Sequence, residues 1–431
     1  MTQLAERITI HELNTPRGRM LGIDLLRALA IIGMVWAHFS VASWLPEADS
    51  APMRSFSSGL TPWEWINTVV GIRPRDIFFV LAGVTVALGT GGVNRYLGRE
   101  LLGSWRKLGV RAAFLFLLGL AMGAAGFGGV QILTFYGLWI VTLMPLTALP
   151  ARPLFWTAGV LAVVCPSVKI LLNNANLFSP QMDEMRLLEE VSGFGIFVHP
   201  EAWGPFLQNL VFGSGSTSQD TIGILPFLVL GLALGRLDLR NQAIRVRLIA
   251  SGATVSIAAL AVGLISPVLF GSAQAYADAR AGSAGNDSPM ANPQVPWQSL
   301  VSTANPGLAN PLLSAVDCLM VSGLIIALLG AFLMLMERSV AKLILWPVVA
   351  FGSMSLTWYC LHLLVIGHTS PLGFIPTRSA LNFLLFIAGA LIVSAVWRKF
   401  FSRGPLEWLQ HIAVTRLTTR PGAPRYARQS R

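Results

Sequence analysis

The feature that most constrains this chain is the recurrence of apolar runs of about 18 or more residues, each long enough to cross a bilayer as a helix. Hydrophobic residues make up 54% of the sequence and charged residues only 12%, whereas about a quarter of the residues in soluble domains are charged. We therefore predict an all-α polytopic membrane protein, a bundle of about ten transmembrane helices. The predicted spans are 21–43, 74–92, 109–126, 130–149, 153–172, 221–239, 248–268, 311–335, 343–366 and 379–398.

The placement of lysine and arginine predicts the orientation of these spans. With the N-terminus inside, most of the 31 Lys and Arg residues fall on the cytoplasmic side, in a roughly threefold excess over the opposite face. This favours ten spans with both termini in the cytoplasm. The predicted organisation is a cytoplasmic N-terminus at 1–19, a single transmembrane domain at 20–400 with external loops 44–73, 173–220 and 269–310, and a basic cytoplasmic tail at 401–431.

Charge and cysteine content narrow the function classes. The net charge of +11 lies mostly in the predicted cytoplasmic loops and tail, where it suits anionic lipid headgroups rather than nucleic acid. Cys165, Cys318 and Cys360 all fall within predicted spans, so neither a disulfide framework nor a thiolate metal site is expected. Arginine far outnumbers lysine, and alanine and glycine are abundant, as in bacteria with GC-rich genomes. We predict a multi-pass protein of a bacterial plasma (inner) membrane.

The first span, "DLLRALAIIGMVWAH", carries three titratable side chains: Asp24, Arg27 and His38. Arg27 and His38 are almost three helical turns apart, so they share a face and are separated by about 16 Å. Charged residues at this depth usually face a bundle interior or a watery cavity. In one interpretation Asp24 and Arg27 stabilise the helix end and His38 is an interfacial residue. In the other, His38 is a general base.

Two further polar clusters are candidates for a pocket. Arg75 and Asp76 are adjacent in "GIRPRDIFF", and they either line a cavity beneath His38 or mark the membrane interface. In the ninth span Ser355, Tyr359 and His362 recur at helical spacing and form one polar stripe. Such a stripe either satisfies its own hydrogen bonds inside the bundle or lines a binding site.

A resemblance to a known family rests on the first span together with four other stretches: "RAAFLFLLG", "QILTFYGL", "FGSMSLTWYCLH" and "RKFFSRGPLEWLQ". These resemble the transmembrane acyltransferase superfamily, which includes OafA-like O-acyltransferases and heparan-alpha-glucosaminide N-acetyltransferase. The match is closer to the YeiB-like bacterial inner-membrane family, which is placed in the same superfamily. The matching stretches extend over most of the chain, and "SRGPLEWL" is the most specific of them.

The resemblance implies a membrane-bound acyltransferase of the cell envelope. Such an enzyme would move an acyl group, here an acetyl group, from cytoplasmic acyl-CoA to a hydroxyl or amine of an extracytoplasmic or lipid-linked glycan. No metal is expected, the partners are membrane lipids and the glycan acceptor, and a homodimer is left open. The implied roles are a catalytic base at His38, donor binding by Asp24, Arg27, Arg106 and Arg111, and an acceptor pocket of Glu64, Arg75, Asp76, Ser355, Tyr359 and His362.

The sequence departs from the family at the proposed base. YeiB-like relatives often have asparagine at the position of His38, and the heparan enzyme has its acting histidine in the following loop, whereas residues 39–73 contain none here. The base is therefore His38 or a residue elsewhere. The alternative function is a non-catalytic transporter or exporter that uses the same polar face, for which paired broken helices near mid-membrane would be expected.

Overall fold

A computed structural model describes residues 19–39, 74–125, 132–174, 187–188, 190–191, 193–212, 221–269, 311–365, 375 and 380–419. Short 3₁₀ helices occupy Met144–Ala148, Gly193–Phe197 and Pro200–Ala202. The α-helices are α1 (Leu21–His38), α2 (Pro74–Gly89), α3 (Gly98–Ala124), α4 (Ile132–Leu143), α5 (Ala151–Asn174), α6 (Trp203–Phe212), α7 (Thr221–Leu234), α8 (Gln242–Leu269), α9 (Pro311–Leu335), α10 (Ser339–Ile344), α11 (Trp346–Gly352), α12 (Ser355–Val365), α13 (Ala380–Phe400) and α14 (Pro405–Thr418).

The helical fold class predicted from the apolar runs is confirmed, and each of the ten predicted spans overlaps a helix. Among the described residues, five helices are long and apolar enough to cross a membrane: α3, α5, α8, α9 and α13. The number is six if α11 and α12 form one bent span. The helix α7 and the segment 132–148 are apolar but shorter. These helices indicate a membrane protein. The predicted loop 44–73 and nearly all of 269–310 lie outside the described residues.

The core is built around α7, whose residues are nearly all buried between α2 and α5. Two glycines let α2 and α7 touch. A Cβ at Gly231 would clash with the backbone oxygen of Val80, and a Cβ at Gly83 would clash with that of Leu228. Helix pairs in membranes approach closely where small residues meet, because dispersion contacts rather than the hydrophobic effect hold them together.

The segment predicted as one continuous span at 343–366 is instead two helices, α11 and α12, bent by 80°. At the bend, α11 lies directly against α1, since a Cβ at Gly352 would clash with the backbone oxygen of Asp24. The Nη2 atom of Arg19 donates to the Ser353 carbonyl at 3.4 Å. The bend therefore lies beside the start of α1. Arg19 supplies a hydrogen-bond donor to a backbone carbonyl that the interrupted helix leaves without a helical partner.

A buried arginine ties together three turns on another side of the bundle. Arg236 is 5% exposed and follows α7. Its Nη1 atom donates to the carbonyls of Ala87, Thr90 and Gly92, and its Nη2 atom donates to the Thr90 hydroxyl and the Thr147 carbonyl. This side chain was counted in the sequence only as part of the cytoplasmic positive charge. In the structure its hydrogen bonds connect the C-terminal end of α7 to the segments that follow α2 and α4.

We expect Gly352→Ala to lower the free energy of unfolding by about 1–3 kcal/mol, because the added methyl group must push α11 away from α1. The matched control is Gly389→Ala in α13, where a Cβ would meet nothing within 4 Å. Thermal unfolding of both variants in the same detergent tests this. Equal melting temperatures for the two variants would contradict the close contact at Gly352.

Candidate functional site

The described helices enclose a cavity of about 580 Å³. It lies between α1, α2, α3, α4, α12 and α14, so it brings together segments from both halves of the chain. One region, called here the basic end, contains Arg19, Arg27, Lys107, Arg111 and Arg403. The remaining lining is mixed apolar and polar, and includes Met34, Phe78, Phe79, Leu81, Thr85, Gly89, Ser104, Leu108, Leu115, Ile132, Leu133, Tyr136, Ser353, Ser355, Leu356, Tyr359, Glu407, Gln410, His411 and Val414.

Two arginines of the basic end share one buried carboxylate. Asp24 is 1% exposed. It accepts hydrogen bonds from Arg19, with Nε to Oδ2 at 2.5 Å and Nη2 to Oδ1 at 3.0 Å, and from Arg27 Nη1 at 3.0 Å. Arg27 also donates from Nη2 to the Thr85 hydroxyl at 2.9 Å. Since two guanidinium groups surround one carboxylate, the group keeps a net positive charge beside the cavity.

Other cations add to this charge. Arg111 is close enough to Arg27 to interact with it electrostatically, and the buried Arg111 Nε has no hydrogen-bond partner among the described residues. Burial, with the charge of Arg19, lowers the pKa of Arg403. Burial, with the charge of Arg403, lowers the pKa of His411 on the amphipathic helix α14. Burial is the larger cause of both shifts, and the neighbouring arginine adds to it in the direction that a nearby positive charge produces.

One acidic residue of the lining, Glu407, has a structural role. Its Oε1 atom accepts from the backbone N–H groups of Leu356 at 2.7 Å and Thr357 at 3.2 Å, and its Oε2 atom accepts from the Thr357 hydroxyl at 2.6 Å. Helix N-termini expose N–H groups and carry partial positive charge, so a carboxylate there is stabilising. Glu407 of α14 therefore caps α12 from outside that helix.

Two histidines meet near the cavity. The Nδ1 atom of His38, at the end of α1, lies 3.0 Å from the Nε2 atom of His362 in α12. The rings stack with centroids 5.1 Å apart and an angle of 13° between planes. His362 is fully buried, and its Nδ1 atom is 3.1 Å from the Trp358 carbonyl oxygen. The two predicted site histidines are thus brought together although 324 residues separate them.

The histidine pair adjoins the cavity on two sides. Met34 lines the cavity and precedes His38 by one helical turn on the same face of α1. Tyr359 also lines the cavity, and its ring lies edge-on to His362 with centroids 5.5 Å apart. Helix α1 therefore links the basic end and the histidine pair, since it contributes Arg27 and Met34 to the cavity lining and carries His38 at its end.

The structure brings most, but not all, of the sequence candidates to this cavity. Arg27, Arg111, Ser355 and Tyr359 line it, and Asp24 and His362 contact residues that do so. Other candidates lie elsewhere. Arg106 is exposed on α3, and Glu64 is outside the described residues. Arg75 and Asp76 pair with each other, with Arg75 Nε donating to Asp76 Oδ1 at 3.1 Å, and neither is part of the cavity lining.

Several polar cavity residues were not predicted as site residues, among them Arg19, Arg403, Tyr136 and Glu407. Arg19 and Arg403 were assigned to the N-terminus and the tail. Tyr136 and Glu407 occur in two of the stretches that carry the family resemblance, but no role was assigned to them. Tyr136 in "QILTFYGL" and Glu407 in "SRGPLEWL" could have been selected, because both stretches carried the resemblance. Nothing local in the sequence distinguishes Arg19 or Arg403 from arginines that satisfy the positive-inside rule.

Within the described part of the chain, no group of three or more His, Cys, Asp or Glu side chains is arranged to hold a metal ion. The three cysteines are buried, and none of them forms a disulfide bond with another. The polar side chains that line the cavity carry guanidinium, ammonium, imidazole, phenol, hydroxyl and amide groups, together with the Glu407 carboxylate that caps α12. Such a set can bind a polyanion and transfer a proton.

Comparison with known proteins adds one finding. Residues 289–416 match the model of a family described as a protein of unknown function, DUF418, which is the YeiB-like membrane family. The matched region contains α12 and α14, and hence His362, Arg403 and Glu407, whereas His38 and Arg111 lie outside it. No curated protein matches the chain.

We expect Glu407→Ala to destabilise the protein by about 1–3 kcal/mol, because it leaves two backbone N–H groups at the start of α12 without their acceptor. The control is Glu100→Ala, at an exposed position in the first turn of α3. Amide hydrogen exchange at Leu356 and Thr357, followed by mass spectrometry, should accelerate only in the Glu407 variant. Unchanged exchange there would show that the carboxylate does not hold α12.

Proposed function

We propose that this protein is an integral membrane acyltransferase that uses acyl-CoA as its donor, with the polyanionic part of the donor held at the basic end of the cavity. In this proposal ten spans cross the bacterial plasma membrane, both termini are cytoplasmic, and the basic end opens to the cytoplasm. The acceptor, a hydroxyl or amine of an extracytoplasmic or lipid-linked glycan, approaches from the side of His38. The acetyl donor and the glycan acceptor follow from the resemblance to transmembrane acyltransferases.

The observation that carries the proposal is the polarity of the cavity. Guanidinium and ammonium groups from two helices, α1 and α3, and two helix-flanking segments converge at one end, and Arg111 Nε has no hydrogen-bond partner among the described residues. Arginine forks suit phosphate and pyrophosphate groups, which coenzyme A carries. Histidine is the side chain best suited to accept a proton near neutral pH, and the pair adjoins the same cavity.

The distance between the two ends fits a long, thin donor. Arg27 and His38 are separated by about 16 Å along α1. A pantetheine arm with its thioester at the tip can span such a distance while its phosphates remain at the basic end. The cavity wall between these ends is largely apolar, with Met34, Phe78 and Leu115 among its residues.

The proposed reaction is direct acyl transfer. The acceptor oxygen or nitrogen loses its proton to His38 as it attacks the thioester carbonyl carbon. A bond forms between that carbon and the acceptor, and the carbon–sulfur bond breaks. The proton is then returned to the thiolate sulfur, so the products are the acylated acceptor and free coenzyme A.

Donor binding is tested by calorimetry with coenzyme A and the full-length protein in nanodiscs. We expect Arg111→Gln to weaken binding about 10- to 100-fold, because it removes a charge-assisted interaction in a buried site. Arg99→Gln is the matched control, since Arg99 is an exposed residue of the same helix outside the cavity lining. Equal losses in both variants would indicate only non-specific attraction, and no binding by the folded wild type would overturn the proposal.

Transfer itself is tested with radiolabelled acetyl-CoA and membranes that supply envelope glycans. His38→Ala should reduce transfer about 100- to 10,000-fold, as expected for loss of a general base. The same variant should bind coenzyme A with unchanged affinity. If His38→Ala retains full transfer, another residue is the base.

Transport is the second candidate function, because a helix broken inside an apolar segment is a common feature of transporter sites. In this protein, however, the first-turn N–H groups of α12 are already bound by Glu407. In transporters such half-helix N-termini face the substrate. Proteoliposomes separate the two functions: uptake of labelled coenzyme A or glycan without formation of an acylated product would favour transport.

A further inference from the structure

His38 and His362 form a hydrogen-bonded pair in which the position of each proton can be derived. His362 Nδ1 lies 3.1 Å from the Trp358 carbonyl oxygen, which can only accept, so Nδ1 carries the proton. A neutral imidazole has one N–H group, and the Nε2 atom of His362 is therefore an acceptor. The group facing it at 3.0 Å is His38 Nδ1, which must donate.

The proton on Nδ1 of His38 determines the state of its other ring nitrogen, Nε2. Since Nδ1 carries the proton, Nε2 carries the basic lone pair. An isolated histidine in water favours the opposite tautomer, with the proton on Nε2, so the contact with His362 selects the less common form. The same logic orients catalytic histidines elsewhere, where an acceptor buried behind the ring fixes which nitrogen faces the substrate.

We propose that His362 is a positioning residue that holds His38 in its Nδ1–H tautomer, so that the His38 Nε2 atom faces the acceptor as the base. This inference rests on the proposed acyltransferase function. When Nε2 takes the acceptor proton, His38 becomes an imidazolium whose Nδ1–H still donates to His362, now as a stronger charge-assisted hydrogen bond. Release of the Nε2 proton to the departing thiolate restores the original pair.

The surroundings of His362 favour this role over that of a core histidine. Its ring is fully buried and clamped by the Trp358 carbonyl on one side and the His38 ring on the other. Ser355 and Tyr359, which share its face of α12, line the cavity. The direction of this face is set by the 80° bend and by the Glu407 cap. His362 therefore lies between His38 and Tyr359, the second of which lines the cavity.

The tautomers are measured directly by nitrogen-15 NMR of histidine-labelled, full-length protein in nanodiscs, at a pH where both imidazoles are neutral. His38→Gln and His362→Gln variants assign the two ring signals. We expect both rings in the wild type to be Nδ1–H tautomers. A wild-type His38 that carries its proton on Nε2 would overturn the proposal, whether or not the protein shows transfer activity.

Two substitutions of His362 sharpen the test. In His362→Gln the amide oxygen can still accept from His38 Nδ1, so His38 should keep its tautomer. In His362→Leu no acceptor remains, and His38 should shift to the Nε2–H form. An unchanged His38 tautomer in the leucine variant would contradict the role assigned to His362. If the leucine variant does not fold, the tautomer of His38 in the wild-type protein still tests the proposal.

Kinetics then separate this inference from the proposed function. We expect His362→Leu to lower kcat about 100-fold or more with little change in KM for acyl-CoA, and His362→Gln to retain most of the activity. Equal activity loss in both variants would contradict the proposal that His362 acts only as a hydrogen-bond acceptor for His38. If the wild type shows the expected tautomers but no transfer, the acyltransferase proposal fails and the tautomer assignment stands.

Discussion

The buried Asp24 carboxylate is the interaction on which the arrangement of this site depends. It binds Arg19 and Arg27 at once, and Arg19 also reaches the Ser353 carbonyl at the bend between α11 and α12. Removing the carboxylate would leave two partly buried guanidinium groups side by side without their counter-charge, which costs more than leaving the pair intact. One acid therefore fixes the start of α1, the charge of the basic end and the position of the bend. A net positive charge remains beside the cavity because this acid neutralises only one of its two arginines.

The bend separates one apolar segment into a helix that packs against α1 and a helix that lines the cavity. α11 packs against α1 through Gly352, whereas α12 turns its polar face toward the cavity and the first histidine. A straight helix over the same residues could not keep both contacts, because an 80° change of direction separates them. The cost of breaking the helix is the exposure of backbone N–H groups, and Glu407 offsets that cost. Glu407 lines the cavity, but its carboxylate is engaged in hydrogen bonds that stabilise the start of α12.

The sequence predicted the helical class, most of the helix positions and several cavity residues, because apolar length and helical spacing are local properties. Arg27 and His38 could be placed on one face of α1, and Ser355, Tyr359 and His362 on one face of α12, by periodicity alone. The contact between His38 and His362 could not be predicted, since no local signal relates residues so far apart in the chain. The break after Gly352 was missed for a similar reason: the segment is apolar throughout, and the acid that stabilises its second half lies about 50 residues later. Arg106 was selected by its charge next to Arg111, but their positions on α3 differ enough that only Arg111 lines the cavity.

The capping of α12 by Glu407 also orders events during biosynthesis. Membrane helices enter the bilayer as the ribosome makes them, and α12 is complete before its cap has been synthesised. Until α14 folds back against it, the first turn of α12 has backbone donors that only this late carboxylate satisfies among the described residues. The α14 wall of the cavity, with the Glu407 cap of α12, is consequently added after α12 itself has been synthesised. A nascent chain stopped before α14 would contain both histidines yet lack the carboxylate that caps the helix carrying the second of them.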